Sequence, residues 1–200
     1  MSSICRVVAV LAALTAALFL SSCSNSPSQS HADHPKTDEP VITGQPAGYN
    51  PDDVAFATNM IPHHRQAVDL AALVPDRATD PAVATLAQQI SAAQQPEIEV
   101  MKVLLVQWNE NPDAGSGHTG HGATMQGMVD EPTLAKLRSL NGEEFDKLWL
   151  ESMISHHQGA IEMAKAEIAN GDNVDAKNLA ENIVKTQEAE IGQMKQMLGG

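Results

Sequence analysis

Two five-residue strings, Met60-Ile61-Pro62-His63-His64 and Met153-Ile154-Ser155-His156-His157, carry the side chains of this chain best suited to chemistry. Each offers a thioether and, one helical turn later, two adjacent imidazoles. Imidazole nitrogen is a general transition-metal ligand, and thioether sulfur selects the softer ions, Cu(I) above all. The offset that carries position 60 to 153 also carries Asp53 to Asp146, Ala67 to Ala160, Ala71 to Ala164 and Leu86 to Leu179. Further on it carries Ile90 to Ile183, Gln94 to Gln187, Glu97 to Glu190 and Met101-Lys102 to Met194-Lys195. A duplicated unit of this kind sets two groups of the same donors at equivalent positions of one fold. Metal binding is therefore the first chemistry to weigh.

The remaining histidines are paired too, as His31/His34 and His118/His121. The second of these pairs continues to Met125 and Met128 in a Gly-rich stretch. Loose His/Met clusters suit copper recruitment at modest affinity, because thioether favours Cu(I) and imidazole accepts either oxidation state. A solvated Gly-rich loop with chance histidines reads equally well.

The elements that must position these donors are helical. Asn50-Pro51-Asp52-Asp53 supplies a cap, a first-turn proline and early acids. Phe56, Met60, His63, Ala67, Leu70-Ala71 and Val74 follow at helical spacing. Val74-Pro75-Asp76 stops that helix and Asp80-Pro81 starts a second, whose apolar face runs from Val83 to Trp108. Asn141-Gly142-Glu143-Glu144 opens a third, with Phe145, Leu148-Trp149, Met153, His156, Ala160 and Met163-Ala164 on its face; Asn170-Gly171 closes it. A last helix carries Leu179, Ile183, Ile191, Met194 and Leu198. The segment 110–132 reads as an exposed connection, followed by a short helix from about Pro132 to Leu140. Almost nothing reads as strand. The expected fold is all-α, a four-helix bundle of two duplicated hairpins, 51–109 and 141–199, joined by the linker 110–140.

Residue numbers at equal height in an antiparallel hairpin sum to a constant. With turns near 74/81 and 169/174, Gln94/Gln187 and Glu97/Glu190 fall within about one turn of the His-Met layer. Four helices then project His, Met, Gln and Glu into the middle of the bundle. Burying so many polar groups without partners costs several kcal/mol. A metal ion satisfies them, and so does a mutual hydrogen-bond network. Pro62 removes one helical amide bond just before His63, where the second copy has Ser155, so the two half-sites should differ.

The ends bound the setting. Residues 1–22 read as an export signal, with Arg6 as the only early charge and an apolar run from Val7 to Leu20 too short for a stable span. Leu20-Ser21-Ser22-Cys23 resembles a bacterial lipobox, which implies cleavage before Cys23 and a lipid anchor on its thiol. Residues 23–50 lack apolar periodicity and look like a tether, leaving 51–200 as the bundle domain. With Cys5 removed in the signal, one cysteine remains and no intramolecular disulfide can form. The net charge of −13 argues against nucleic-acid binding, which needs basic patches.

Phe145-Asp146, followed by the run from Met153 to Ala164 (Met-Ile-Ser-His-His-Gln-Gly-Ala-Ile-Glu-Met-Ala), is similar to the signature of the bacterial secreted family catalogued as domain of unknown function 305. Met60-Ile61-Pro62-His63-His64, with Ala67 and Ala71, resembles that family's first, weaker copy. The resemblance covers about residues 50–199. It implies a ferritin-like bundle, an envelope location and, as for some members, copper binding. Carried over, the implied ligands are Met60, His63, His64, Met153, His156 and His157. Leu70 stands where the second copy has Met163, so the halves should not be fully symmetric.

The leading functional expectation is an extracytoplasmic lipoprotein, anchored through Cys23, that buffers or transfers copper. Cu(I) is favoured over Cu(II), with other transition metals open and a copper-handling protein as the kind of partner envisaged. Gln94, Glu97, Met101, Met163, Gln187, Glu190 and Met194 are expected as supporting or additional ligands. A ferritin-like di-metal oxidase is the enzyme alternative. That chemistry usually needs Glu-x-x-His on two helices, and here Met60 and Met153 occupy the Glu positions. No Ser-His-Asp set, nucleophilic cysteine or phosphate loop is recognisable. The third reading is a non-metal helical module whose polar layer sets register.

Overall fold

The computed structural model describes residues 48–113 and 126–199. Cys23 with the expected signal, His31, His34, and the linker residues His118, His121 and Met125 lie outside them. The described residues form five α-helices and no strand: α1 (Pro51–Ala72), α2 (Pro81–Gln107), α3 (Glu131–Ser139), α4 (Glu143–Asn170) and α5 (Val174–Gly199). The turn at Val74–Asp76 is a short 3-10 segment.

Local sequence accounts for the boundaries. The Asn50 side chain accepts from the amides of Asp52 and Asp53, and Asp53 answers back to the Asn50 amide, a reciprocal capping box with Pro51 in the first turn. Asp80 caps α2 ahead of Pro81, and Asp130 caps α3. Asn173 accepts from the amides of Asp175 and Ala176 where α5 begins. Helix α1 continues through Pro62, and α2 through Pro96.

Helix α1 packs on α2 and α4 on α5; the two hairpins meet through α1 against α4 and α2 against α5. Two aspartates lock this arrangement. Asp53, at the start of α1, accepts the amides of Asp172 (3.2 Å) and Asn173 (2.9 Å) in the α4–α5 turn. Asp146, at the start of α4, accepts the amides of Thr79 (3.1 Å) and Asp80 (3.0 Å) in the α1–α2 turn, and the Thr79 hydroxyl. The first helix of each hairpin thus holds the other hairpin's turn, which sets α1 and α4 antiparallel.

The core has two apolar halves. One joins Leu70, Leu86, Ile90, Phe145, Trp149 and Met153 with their neighbours. The other joins Phe56, Met60, Ile98, Met101, Leu105 and Ile183 with theirs. Along each helix the boundary between the halves falls where the sequence turns polar: His63-His64 on α1, Gln94 on α2, His156-His157 on α4, Gln187 and Glu190 on α5. These residues are buried. The bundle is a polar layer between two apolar ones.

Candidate metal centre

Four imidazoles form the middle of that layer, and all four are fully buried. His63 and His156, related by the sequence offset, face each other between α1 and α4 with ring centroids 3.8 Å apart and planes 39° apart. Each neighbouring histidine reaches its own hairpin partner. His64 Nε2 lies 2.8 Å from Glu97 Oε2, and His157 Nε2 lies 2.8 Å from Glu190 Oε2. The same bond thus recurs at equivalent positions of the two hairpins. The match is not complete: the Glu97 side chain is 18% exposed and that of Glu190 8%.

These bonds determine which nitrogens remain available. A carboxylate only accepts, so the Nε2 of His64 and of His157 donates, and a neutral ring then carries its lone pair on Nδ1. His63 Nε2 lies 3.3 Å from the carbonyl oxygen of Gln126, which likewise only accepts. Burial, reinforced by the neighbouring His64, pushes the His63 pKa down to about 3. Burial, followed by the proximity of His63 and His157, holds His156 well below the ordinary histidine range. Both central rings are neutral at physiological pH.

The donor set fits a soft transition metal. Nδ1 of His63, His64, His156 and His157 has no hydrogen-bond partner, nor has Nε2 of His156. Both polar atoms of the Gln94 amide and Oε1 of Gln187 are likewise unpartnered. Each such buried atom costs roughly 1–3 kcal/mol when nothing meets it. The layer therefore does not close on itself as a hydrogen-bond network. Its unmet atoms include four imidazole Nδ1 nitrogens, and imidazole is a ligand that suits copper. Among the described residues, no three or more His, Cys, Asp or Glu converge to hold an ion. The imidazoles that meet directly are those of His63 and His156.

The methionines are divided rather than gathered. Met60 and Met101 belong to one apolar half, Met153 and Met194 to the other, all fully buried. Helical spacing predicts each thioether one turn from its imidazoles, and tertiary packing sends the two turns in opposite directions because α1 and α4 are antiparallel. Met163 is half-buried at the margin of the half that holds Met60 and lines a surface pocket with Asp52 and Glu167, away from the four imidazoles. Met128 is half-buried.

The connection 110–132 was expected to be exposed; Gln126 is exposed, but residues 127–129 are not. Val129 is buried, and Gly127 and Met128 are half-buried. The Gln66 side chain clasps Val129 twice, donating to its carbonyl (2.9 Å) and accepting from its amide (2.8 Å). Gly127 has φ +84°, a conformation that disfavours any side chain, and a Cβ there would fall 2.6 Å from the Ser155 carbonyl oxygen. Gly159, within α4, leaves the space in which Gln126 lies: a Cβ on it would stand 1.8 Å from the Gln126 carbonyl oxygen. Gln66, Gln126 and Gly159 are thus site residues that sequence reasoning missed. The available signal was an interior helical glycine two residues after the second His-His pair.

A search of curated proteins finds no match. A crystal structure described as a secreted DUF305 protein from Streptomyces coelicolor shares 31% identity, with a TM-score of 0.66 over 74% of this chain and 92% of that one. A DUF305 fragment from Deinococcus radiodurans shares 33%, with a TM-score of 0.66 over 75% and 97%. CopM in its Cu(II)-bound form shares 33%, with a TM-score of 0.64 over 72% and 94%; its Cu(I)-bound form shares 32%, with a TM-score of 0.59. The sequence profile described as Domain of unknown function (DUF305) matches residues 53–198, and the chain belongs to that family.

Proposed function

We propose that this chain is an extracytoplasmic copper-binding protein, held to a membrane through Cys23, that buffers or hands on copper and performs no reaction of its own. The observation that carries the reading is the set of buried, unpartnered Nδ1 nitrogens on His63, His64, His156 and His157. Relatives crystallised as CopM with Cu(I), Cu(II) and silver support it, since silver mimics the softness of Cu(I). The relative described as secreted supports the location.

In this reading His63 and His156 supply the central nitrogens, and His64 and His157 flank them. Glu97 and Glu190 orient the flanking rings and strengthen them as donors, a carboxylate–imidazole arrangement common behind metal ligands. Met60, Met101, Met153 and Met194 bring polarizable sulfur to either side of the layer. Copper supplies no chemistry here beyond being cargo. The linker cluster of His118, His121, Met125 and Met128 serves as a looser recruiting group. Metal analysis after aerobic and anaerobic copper loading tests the proposal. Wild type should retain copper through desalting, and the His63/His64/His156/His157→Ala variant should not. Equal retention by the two proteins would sink it.

A further inference from the structure

Position 66 and its counterpart 159 hold the same stretch of chain in opposite ways. Gln66 grips Val129 by two hydrogen bonds, and Gly159 accommodates Gln126 by having no side chain. Between these anchors Gly127 takes its positive φ against the backbone of Ser155, His156 and Gly159. The strap so formed, residues 126–129, delivers one polar contact to the layer, the Gln126 carbonyl against His63 Nε2. His156, the counterpart of His63, receives no contact from the strap; the polar group beside it is the backbone of His63.

We propose that this strap is a positioning device for the central pair, with Gln66 and Gly159 as its positioning residues. It fixes His63 with its proton on Nε2 and its lone pair on Nδ1, makes no polar contact with His156, and closes the pair from solvent. Only an acceptor can occupy the strap's end of His63, because a backbone carbonyl cannot donate. The two central imidazoles, equivalent by the sequence offset, thereby become chemically different. The strap also stands between solvent and the pair, so a ligand reaches His63 and His156 when residues 126–129 lift. Its grip rests on one side-chain amide and one close contact, small enough to open without unfolding a helix. The inference rests on the copper proposal for its purpose, though not for its test.

The test uses the metal-free full chain. Nitrogen-15 spectra of the imidazoles should show His63 as the Nε2–H tautomer in wild type. Gln66→Met, which keeps volume and deletes both bonds to Val129, should shift His63 toward a mixture of tautomers. In the same variant, acylation of His63 and His156 by diethyl pyrocarbonate, read by peptide mass, should quicken roughly tenfold, the scale of one or two net hydrogen bonds. Gly159→Ala should act in the same direction. If Gly159→Ala does not fold, Gln66→Met alone decides. Wild-type His63 found as the Nδ1–H tautomer would overturn the proposal, as would unchanged tautomer and acylation rate in a folded Gln66→Met protein. A wild type with the Nε2–H tautomer that nonetheless retains no copper contradicts the copper reading and leaves the strap standing.

Discussion

At the scale of single residues, the site is organised by what each imidazole does with its second nitrogen. Glu97 and Glu190 take Nε2 of His64 and His157, the Gln126 carbonyl takes that of His63, and Nδ1 remains on every ring. A ligand nitrogen is a better donor when the opposite N–H faces a carboxylate. Glu190→Gln should therefore weaken copper binding by about 10–100-fold, the usual cost of losing such a partner. Glu97→Gln should cost less, since Glu97 is the more exposed of the two. Competitive titration of both variants checks the order. The sequence places these residues at one height by simple helix arithmetic, and the side-chain bonds agree with it. Which nitrogen faces inward was not legible, because it depends on partners that sequence spacing does not orient.

At the scale of elements, two hairpins exchange aspartates. Asp146 on α4 gathers two amides and a hydroxyl from the α1–α2 turn, and Asp53 on α1 does the same service for the α4–α5 turn. Hydrogen bonds to a charged acceptor contribute about 1.5–3 kcal/mol each, less than additively. Asp146→Ala should cost roughly 2–4 kcal/mol of stability by urea unfolding, and Asp146→Asn should recover part of it. The sequence marked Asp53 as a first-turn acid, Asp146 as part of the family signature and the two as matching positions, but not their partners, which lie on the opposite hairpin. The helices themselves were readily legible: caps, prolines and apolar spacing give their boundaries to within a residue or two. The strap was not, because residues 126–129 have no periodicity and their placement is decided by Gln66 and Gly159. The division of the thioethers between the two halves was not legible either, for a similar reason. Spacing along one helix places Met60 beside His63, but the antiparallel packing of α1 on α4 determines that Met153 lies in the other half of the core.

At the scale of the whole molecule, the layered core gives the metal-free protein a predictable pH profile. His63 and His156 have pKa values below the unfolded histidine value of 6.5, so the unfolded chain binds more protons than the native one as pH falls through that value. Stability is lost on the acid side. Glu167, buried against Asp53 beside the α4–α5 turn, is pushed up to about 8 by burial and then by that neighbouring carboxyl. Asp53 is pushed up by burial, but the amides of Asn50, Asn173 and Asp172 outweigh this and keep it below the usual range. The native state then holds a proton on Glu167 that the unfolded chain releases above 4.5, so stability also falls as pH rises toward about 8. The two slopes meet near pH 6.5, where melting temperature should peak. Glu167→Gln should flatten the alkaline limb and steepen the acid limb between 4.5 and 6.5, and an alkaline limb unchanged in that variant would rule out this assignment. Val74 stands at the equivalent place in the first hairpin, so this carboxyl has no twin. The central claim remains that the polar layer exists to hold copper. Its most direct test is a competitive Cu(I) titration of wild type against His63→Ala/His156→Ala. The double variant should lose more affinity than the roughly 10–100-fold expected for a supporting carboxylate. Equal Cu(I) affinity in the two proteins would contradict it.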